Sequence, residues 1–272
     1  VQAFSRWSPP GGTLGAIVAE AHRRAEGIEA RRGELLRAVR EVPAGPSLEQ
    51  ALRTSSVSLL TEVKRRSPSK GAIAEGLDAV QQARAYAEGG AAGVSILTEP
   101  NHFGGSIDDL LDVRASLSIP ALKKDFHVAP IQLVEARALG ASAALLIARA
   151  LSPEQLPAML DAGRQLGLEL LVEVRDEEEL ARALEAGATM IGVNNRDLET
   201  LVIDPATSDR IIPLVPRDLV AIAESGVRSR EDVERYARCG ADAVLVGSSL
   251  SASADPASAT RALSGVPRRS RG

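Results

Sequence analysis

The sequence predicts an α/β fold, a single (β/α)8 TIM barrel with an N-terminal helical extension, and three observations carry that prediction. Eight short apolar runs recur at intervals of roughly 20 to 30 residues. The runs are apolar throughout rather than alternating, as expected of a parallel sheet covered on both faces. Between them lie helical stretches that stop at glycine, the common residue just past a helix C-terminus. At 272 residues the chain only slightly exceeds the roughly 250 of one barrel. A catalytic barrel over 58–265 is therefore expected, with a helical extension over 1–57 and a disordered tail over 266–272.

The extension contains Thr13, a candidate cap for a helix in which Leu14, Ile17, Val18, Ala21, Ala25 and Ile28 form one apolar stripe. Arg23, Arg24, Arg31 and Arg32 are left for solvent, and the stripe must pack on something. A second helix start follows the breaker Pro43-Ala44-Gly45-Pro46, where Ser47-Leu48-Glu49-Gln50 has the serine and glutamine of a capping box. Strands are expected at 58–64, 93–98, 120–124, 143–147, 169–174, 190–193, 219–223 and 243–247. Helices are expected at 78–89, 130–139, 153–166 and 176–186, ending at Gly89-Gly90, Gly140, Gly167 and Gly187. The tail from Val266 to Gly272 has no apolar period, and so no fixed structure is expected for it.

A formal net charge of −4 gives no electrostatic footprint for nucleic acid. The single cysteine, Cys239, excludes an internal disulfide and fits a reducing cytoplasm. His22, His102 and His127 are scattered without ligand-spaced partners, so no structural metal is expected. The first residues lack the apolar stretch of a secretory signal, and no run reaches the ~20 residues that cross a bilayer.

In such barrels chemistry collects where strands end. Glu62 and Lys64 are two apart at the end of the first run, so an extended chain points both to one face. A structural ion pair is the competing reading. Lys124 closes the third run and Glu173 the fifth; Asn194 and Arg196 follow the sixth, and Glu224-Ser225 the seventh. Asn194-Asn195-Arg196-Asp197 also has the composition of an ordinary turn. Ser225-Gly226 and Gly247-Ser248-Ser249 fall in the adjacent loops where barrels often bind phosphate, with glycine letting backbone N–H groups approach the anion. Lys64 would add positive charge.

Read together, Glu62-Val63-Lys64-Arg65-Arg66-Ser67-Pro68-Ser69, Leu97-Thr98-Glu99, Phe103-Gly104-Gly105-Ser106, Lys124-Asp125-Phe126, Glu173-Val174, Asn194-Asn195-Arg196-Asp197-Leu198-Glu199-Thr200, Ala223-Glu224-Ser225-Gly226 and Gly247-Ser248-Ser249-Leu250 give a chain that resembles the indole-3-glycerol-phosphate synthases of tryptophan biosynthesis. The resemblance implies a carboxy-lyase that closes the ring of 1-(2-carboxyphenylamino)-1-deoxyribulose 5-phosphate with loss of carbon dioxide and water, without a cofactor. It implies Lys124 as the proton donor, Glu173 as the acid/base carboxylate and Glu62 as its partner, with the proton carried by each, or by Lys64, left open. It implies that Asn194, Glu224 and Ser225 orient the substrate, that Ser67 and Arg196 bind it, and that Gly226, Gly247 and Ser248 cradle its phosphate with Lys64. Phe103, Phe126 and Leu145 would wall the aromatic ring, and residues 1 to about 50 would lie across the barrel mouth.

The expected partner is the phosphorylated small molecule alone, bound by a cytoplasmic monomer with no nucleic acid or membrane. His102, Ser142 and Arg149 depart from the family's usual pattern. Three rivals share the architecture: a Schiff-base aldolase using Lys124 as nucleophile, a phosphate-binding barrel without turnover, and phosphoribosyl-anthranilate isomerase. Against the last, the only cysteine, Cys239, lies on a helix instead of near the first strand.

Overall fold

The computed structural model describes residues 7–271. Helices α1 (Gly12–Glu29), α2 (Arg32–Glu41) and α3 (Leu48–Leu52) precede strand β1 (Ser58–Val63), and a small hairpin of β2 (Arg66–Ser67) and β3 (Gly71–Ala72) follows it. Helices and strands then alternate: α4 (Ala79–Glu88), β4 (Gly93–Leu97), α5 (Pro100–Phe103), α6 (Ile107–Ser116), β5 (Ala121–Lys124), α7 (Pro130–Ala138), β6 (Ala143–Ile147), α8 (Gln155–Leu166), β7 (Glu169–Val174) and α9 (Glu177–Glu185). The chain continues through β8 (Met190–Asn194), α10 (Ala206–Ile211), β9 (Val220–Glu224), α11 (Arg230–Cys239), β10 (Ala243–Val246), α12 (Ser248–Ser251) and α13 (Pro256–Leu263). Strands β1 and β4 to β10 form a closed parallel barrel, sealed where β1 pairs with β10 from Ser58↔Ala243 to Thr61↔Val246. Among the described residues no helix is long and apolar enough to cross a membrane.

The runs are apolar throughout because successive strand residues serve two cores. Leu59, Val94, Ile96, Leu146, Val172 and Val244 face the helices, whereas Leu60, Leu122, Leu145, Leu171, Ile222 and Leu245 fill the barrel interior. The same period positions the chemistry. Two residues beyond Leu60, Leu122, Leu171 and Ile222 the inward face carries Glu62, Lys124, Glu173 and Glu224, so four charges converge at the C-terminal end of the barrel.

The extension departs from the sequence reading in two ways. Gly11, not Thr13, is the residue before α1, and Thr13 lies inside its first turn. The three helices also go to different places. Leu14, Ile17, Val18 and Ala21 of α1 join the interior core near the mouth, and Leu35 of α2 packs beside α7 on the outer shell. Helix α3 sits at the opposite end, where Leu48 and Leu52 close the base of the barrel. Ser47 Oγ accepts from Gln50 N at 3.0 Å, the local cap its sequence suggests, and also donates to Glu169 Oε1 at 2.5 Å. Glu169 Oε2 in turn accepts from Leu48 N and Glu49 N. That carboxylate, at the start of β7, holds the helix N-terminus against the base.

The tail also differs from expectation, since Val266, Pro267, Arg268 and Arg271 have fixed partners. Val266 is buried, Ser56 and Pro267 form an antiparallel bridge, and Arg271 donates to Asp242 Oδ2 at 2.6 Å, Gly240 O at 2.8 Å and Leu219 O at 2.6 Å. An arginine with five N–H donors can anchor a segment with no apolar period, because it satisfies several carbonyls at once. Arg271→Ala is expected to cost about 2 kcal/mol, since Asp242 keeps its bonds from Arg268 and Ala221 N. A fall of roughly 5 °C in Tm by calorimetry checks this, and an unchanged Tm contradicts it.

Candidate active site

The inward-facing charges surround a cavity at the barrel mouth. Lys124, the last residue of β5, holds its Nζ 3.3 Å from Glu173 Oε2 and 3.5 Å from Glu224 Oε2. Asn194 Nδ2 donates to the other Glu173 oxygen at 2.8 Å, so both oxygens of that carboxylate are fixed. Lys64 pairs with Glu62 Oε1, and Ser95 Oγ donates to Glu62 Oε2 at 3.4 Å.

The electrostatics follow from burial and proximity. Burial would strip the proton from Lys124, but Glu173, Glu224 and Glu62 outweigh it and raise its pKa above the ordinary lysine value. Burial would protonate Glu62, but Lys64 and Lys124 keep its pKa below the usual value. Glu224 goes the other way: burial raises its pKa, and against the pull of Lys124 the neighbouring Glu173 charge raises it further. Burial and the neighbouring carboxylate thus favour the protonated form at Glu224. Glu224 Oε1 is buried without a hydrogen-bond partner.

Two walls complete the cavity. On one side the rings of Phe103 and Phe126 lie 6.0 Å apart at 37°, with Leu145 beside them and Leu14 and Ile17 of α1 above. On the other, Ser67, Arg196 and Ser225 line the rim, and a second cavity adjoins it, bounded by Lys64, Lys70, Gly226, Gly247 and Ser248. Ser225 and Gly226 are both left-handed, with φ of 66° and 96°. A serine in that region is uncommon and costs about 1–2 kcal/mol. Asn195, fully buried, holds it by donating from Nδ2 to Ser225 O at 3.0 Å and to the Tyr236 hydroxyl at 3.0 Å.

The model of the family described as indole-3-glycerol phosphate synthase matches residues 14–263. The chain belongs to that family. An indole-3-glycerol phosphate synthase of Mycolicibacterium vanbaalenii is 50% identical over 226 residues, covering 83% of each chain. One of a Nocardioides species is 51% identical over 214 residues, covering 79% of this chain and 82% of its own. Among solved structures, 3-hexulose-6-phosphate synthase from Salmonella typhimurium superposes with a TM-score of 0.62 at 17% identity over 76% of this chain and 96% of its own, a likeness of fold alone.

All the residues singled out from the family's motifs line one of the two adjoining cavities: Glu62, Lys64, Ser67, Phe103, Lys124, Phe126, Leu145, Glu173, Asn194, Arg196, Glu224, Ser225 and Ser248 the first, Gly226 and Gly247 the second. Sequence reasoning missed Gly192 altogether, and of Gly247 it gave the phosphate cradle but not the room it leaves for a carboxylate. A Cβ on Gly192 would overlap the Glu224 carboxylate, and one on Gly247 would lie 2.6 Å from Glu62 Oε1. Gly192 had a readable signal as a lone glycine inside an apolar strand, which marks a close approach. Asn195 had none beyond its neighbour.

Arg24 is not left to solvent; it pairs with the buried Asp125. Of the departures from the family's usual pattern, Ser142 Oγ accepts from Ala121 N at 3.2 Å, Arg149 pairs with Glu199 at 2.7 Å, and His102 Nε2 lies 3.3 Å from Glu20. Glu20, Glu99 and His102 bring ligand-type atoms within 4.8 Å of one another. Glu99, however, is occupied as the cap of α5, accepting from the N–H groups of Asn101, His102 and Phe103.

Proposed function

We propose that this mouth closes the ring of 1-(2-carboxyphenylamino)-1-deoxyribulose 5-phosphate to indole-3-glycerol phosphate, with Lys124 as the proton donor to the ketone. The single observation that supports it most is the Lys124 ammonium fixed between Glu173 and Glu224, charged and aimed into a cavity with an aromatic wall at one side and a glycine-serine cradle at the other. The aromatic carbon bearing the carboxylate attacks the ketone carbon, and charge develops on the carbonyl oxygen; an ammonium there stabilises that charge and delivers the proton. Loss of carbon dioxide then returns its electron pair to the ring and restores aromaticity. Dehydration follows, in which a hydroxyl leaves as water and a proton is removed from the nascent indole. Glu173, oriented through both oxygens, serves as the base, and the Glu62–Lys64 pair and the protonated Glu224 serve the leaving hydroxyl.

Arg196 and Ser67 bind the substrate, Asn194 and Ser225 orient it, and Gly226, Gly247, Ser248 and Lys64 take its phosphate. The same reading has the protein act as a cytoplasmic monomer without nucleic acid. The raised pKa of Lys124 disfavours the neutral amine that imine chemistry requires. The test is indole fluorescence from the synthetic substrate with no metal or cofactor added. Product formation is expected, with no borohydride-trapped adduct at Lys124; an adduct at Lys124, or no indole, rejects the proposal.

A further inference from the structure

We infer that Arg24 and Asp125 form a clamp that sets the position of α1 over the mouth, making them positioning residues for substrate binding; this rests on the function proposed above. Asp125 lies between Lys124 and Phe126, two residues that line the cavity, and its side chain is 2% exposed. The barrel fixes that carboxylate from several sides: Thr98 Oγ1 donates to Oδ2 at 2.8 Å, Phe126 N donates to Oδ1 at 2.8 Å, and Lys123 Nζ stands 3.4 Å away. Lys123 is itself held by Glu135 at 3.3 Å. Into this preset acceptor Arg24 of α1 places both terminal nitrogens, at 2.8 and 3.1 Å from the two oxygens. Burial works against the ionised Asp125, but Lys123 and Arg24 hold its pKa below the carboxylate range.

The other directional ties of α1 are single and lie nearer solvent: Asn101 Nδ2 donates to Glu20 Oε2 at 3.0 Å, His102 Nε2 lies 3.3 Å from the same oxygen, and Thr13 N donates to Glu199 O at 3.5 Å. Leu14, Ile17, Val18 and Ala21 bury against Phe126 and Leu145, and burial of that sort is non-directional, so it holds the helix down without fixing how far it slides along its axis. A bidentate guanidinium–carboxylate pair does fix it. The clamp therefore sets where Thr13, Leu14 and Ile17, seven to eleven residues earlier on the same helix, meet the bound substrate. These residues bind and do not react, so a loosened clamp acts on KM rather than kcat.

The test uses the full chain and a built-in probe. Trp7 is the only tryptophan, just ahead of α1, and its Nε1 donates to Arg149 O in the turn after β6, 3.3 Å away. Arg24→Met is expected to raise KM about tenfold with kcat within about twofold of the parent. In the ligand-free protein it should shift Trp7 emission to the red and increase acrylamide quenching, with Tm changed by no more than a few degrees. Arg24→Lys, one point charge for a fork, should restore part of the KM, and Arg23→Met on the exposed face should match the parent. A KM within twofold of the parent, an unshifted Trp7, or KM and kcat failing together with a lowered folded fraction each overturns the clamp. A parent without turnover defeats the functional reading instead, and the Trp7 arm still judges the clamp.

Discussion

Lys124→Ala should lower kcat by at least about 100-fold while the protein stays folded and still binds substrate. Loss of a positioned general acid commonly costs 10²- to 10⁴-fold. In the proposed mechanism Lys124 combines that role with positive charge offered to the developing oxyanion. The fold should survive, because Lys124 lies at the end of β5 with its head in the cavity, and the carboxylates it leaves behind can take up protons. The measurement is steady-state indole formation beside substrate binding by calorimetry. A kcat within tenfold of the parent would show that the ammonium is not the proton donor.

Glu173→Gln should lower kcat by at least about 100-fold as well, for a separable reason. Glutamine keeps the size of the side chain and leaves an oxygen to accept from Asn194, so orientation is preserved while the base is lost. It also removes the first of the carboxylates that raise the Lys124 pKa. The sign is definite: with less negative charge nearby, the Lys124 pKa falls, and any alkaline limb of kcat that reports it moves to lower pH. A variant with parental kcat and an unmoved profile would remove Glu173 from proton transfer.

The barrel was legible because its strands are apolar on both faces, a pattern that needs no knowledge of partners. Strands expected at 93–98 and 219–223 lie at Gly93–Leu97 and Val220–Glu224. The alternation that puts Leu60 inward also puts Glu62 inward, so the spacing alone placed one carboxylate of the site. What escaped depends on contacts between distant residues. Ser47 announced its local cap, but not that Glu169 would hold it at the base. Nothing near Arg24 points to Asp125, and nothing in 266–272 announces Asp242 as a receptor for Arg271. In each case a segment is held by a carboxylate elsewhere in the chain, and hydropathy patterning does not record that.

Gly192 and Gly247 put robustness and chemistry in direct competition. Alanine at either position would restrict the unfolded chain more than glycine does, yet it would push Glu224 or Glu62 out of place. Substitutions chosen only for heat resistance would therefore be drawn to the two positions this enzyme can least spare, and a hardened variant has to leave both untouched.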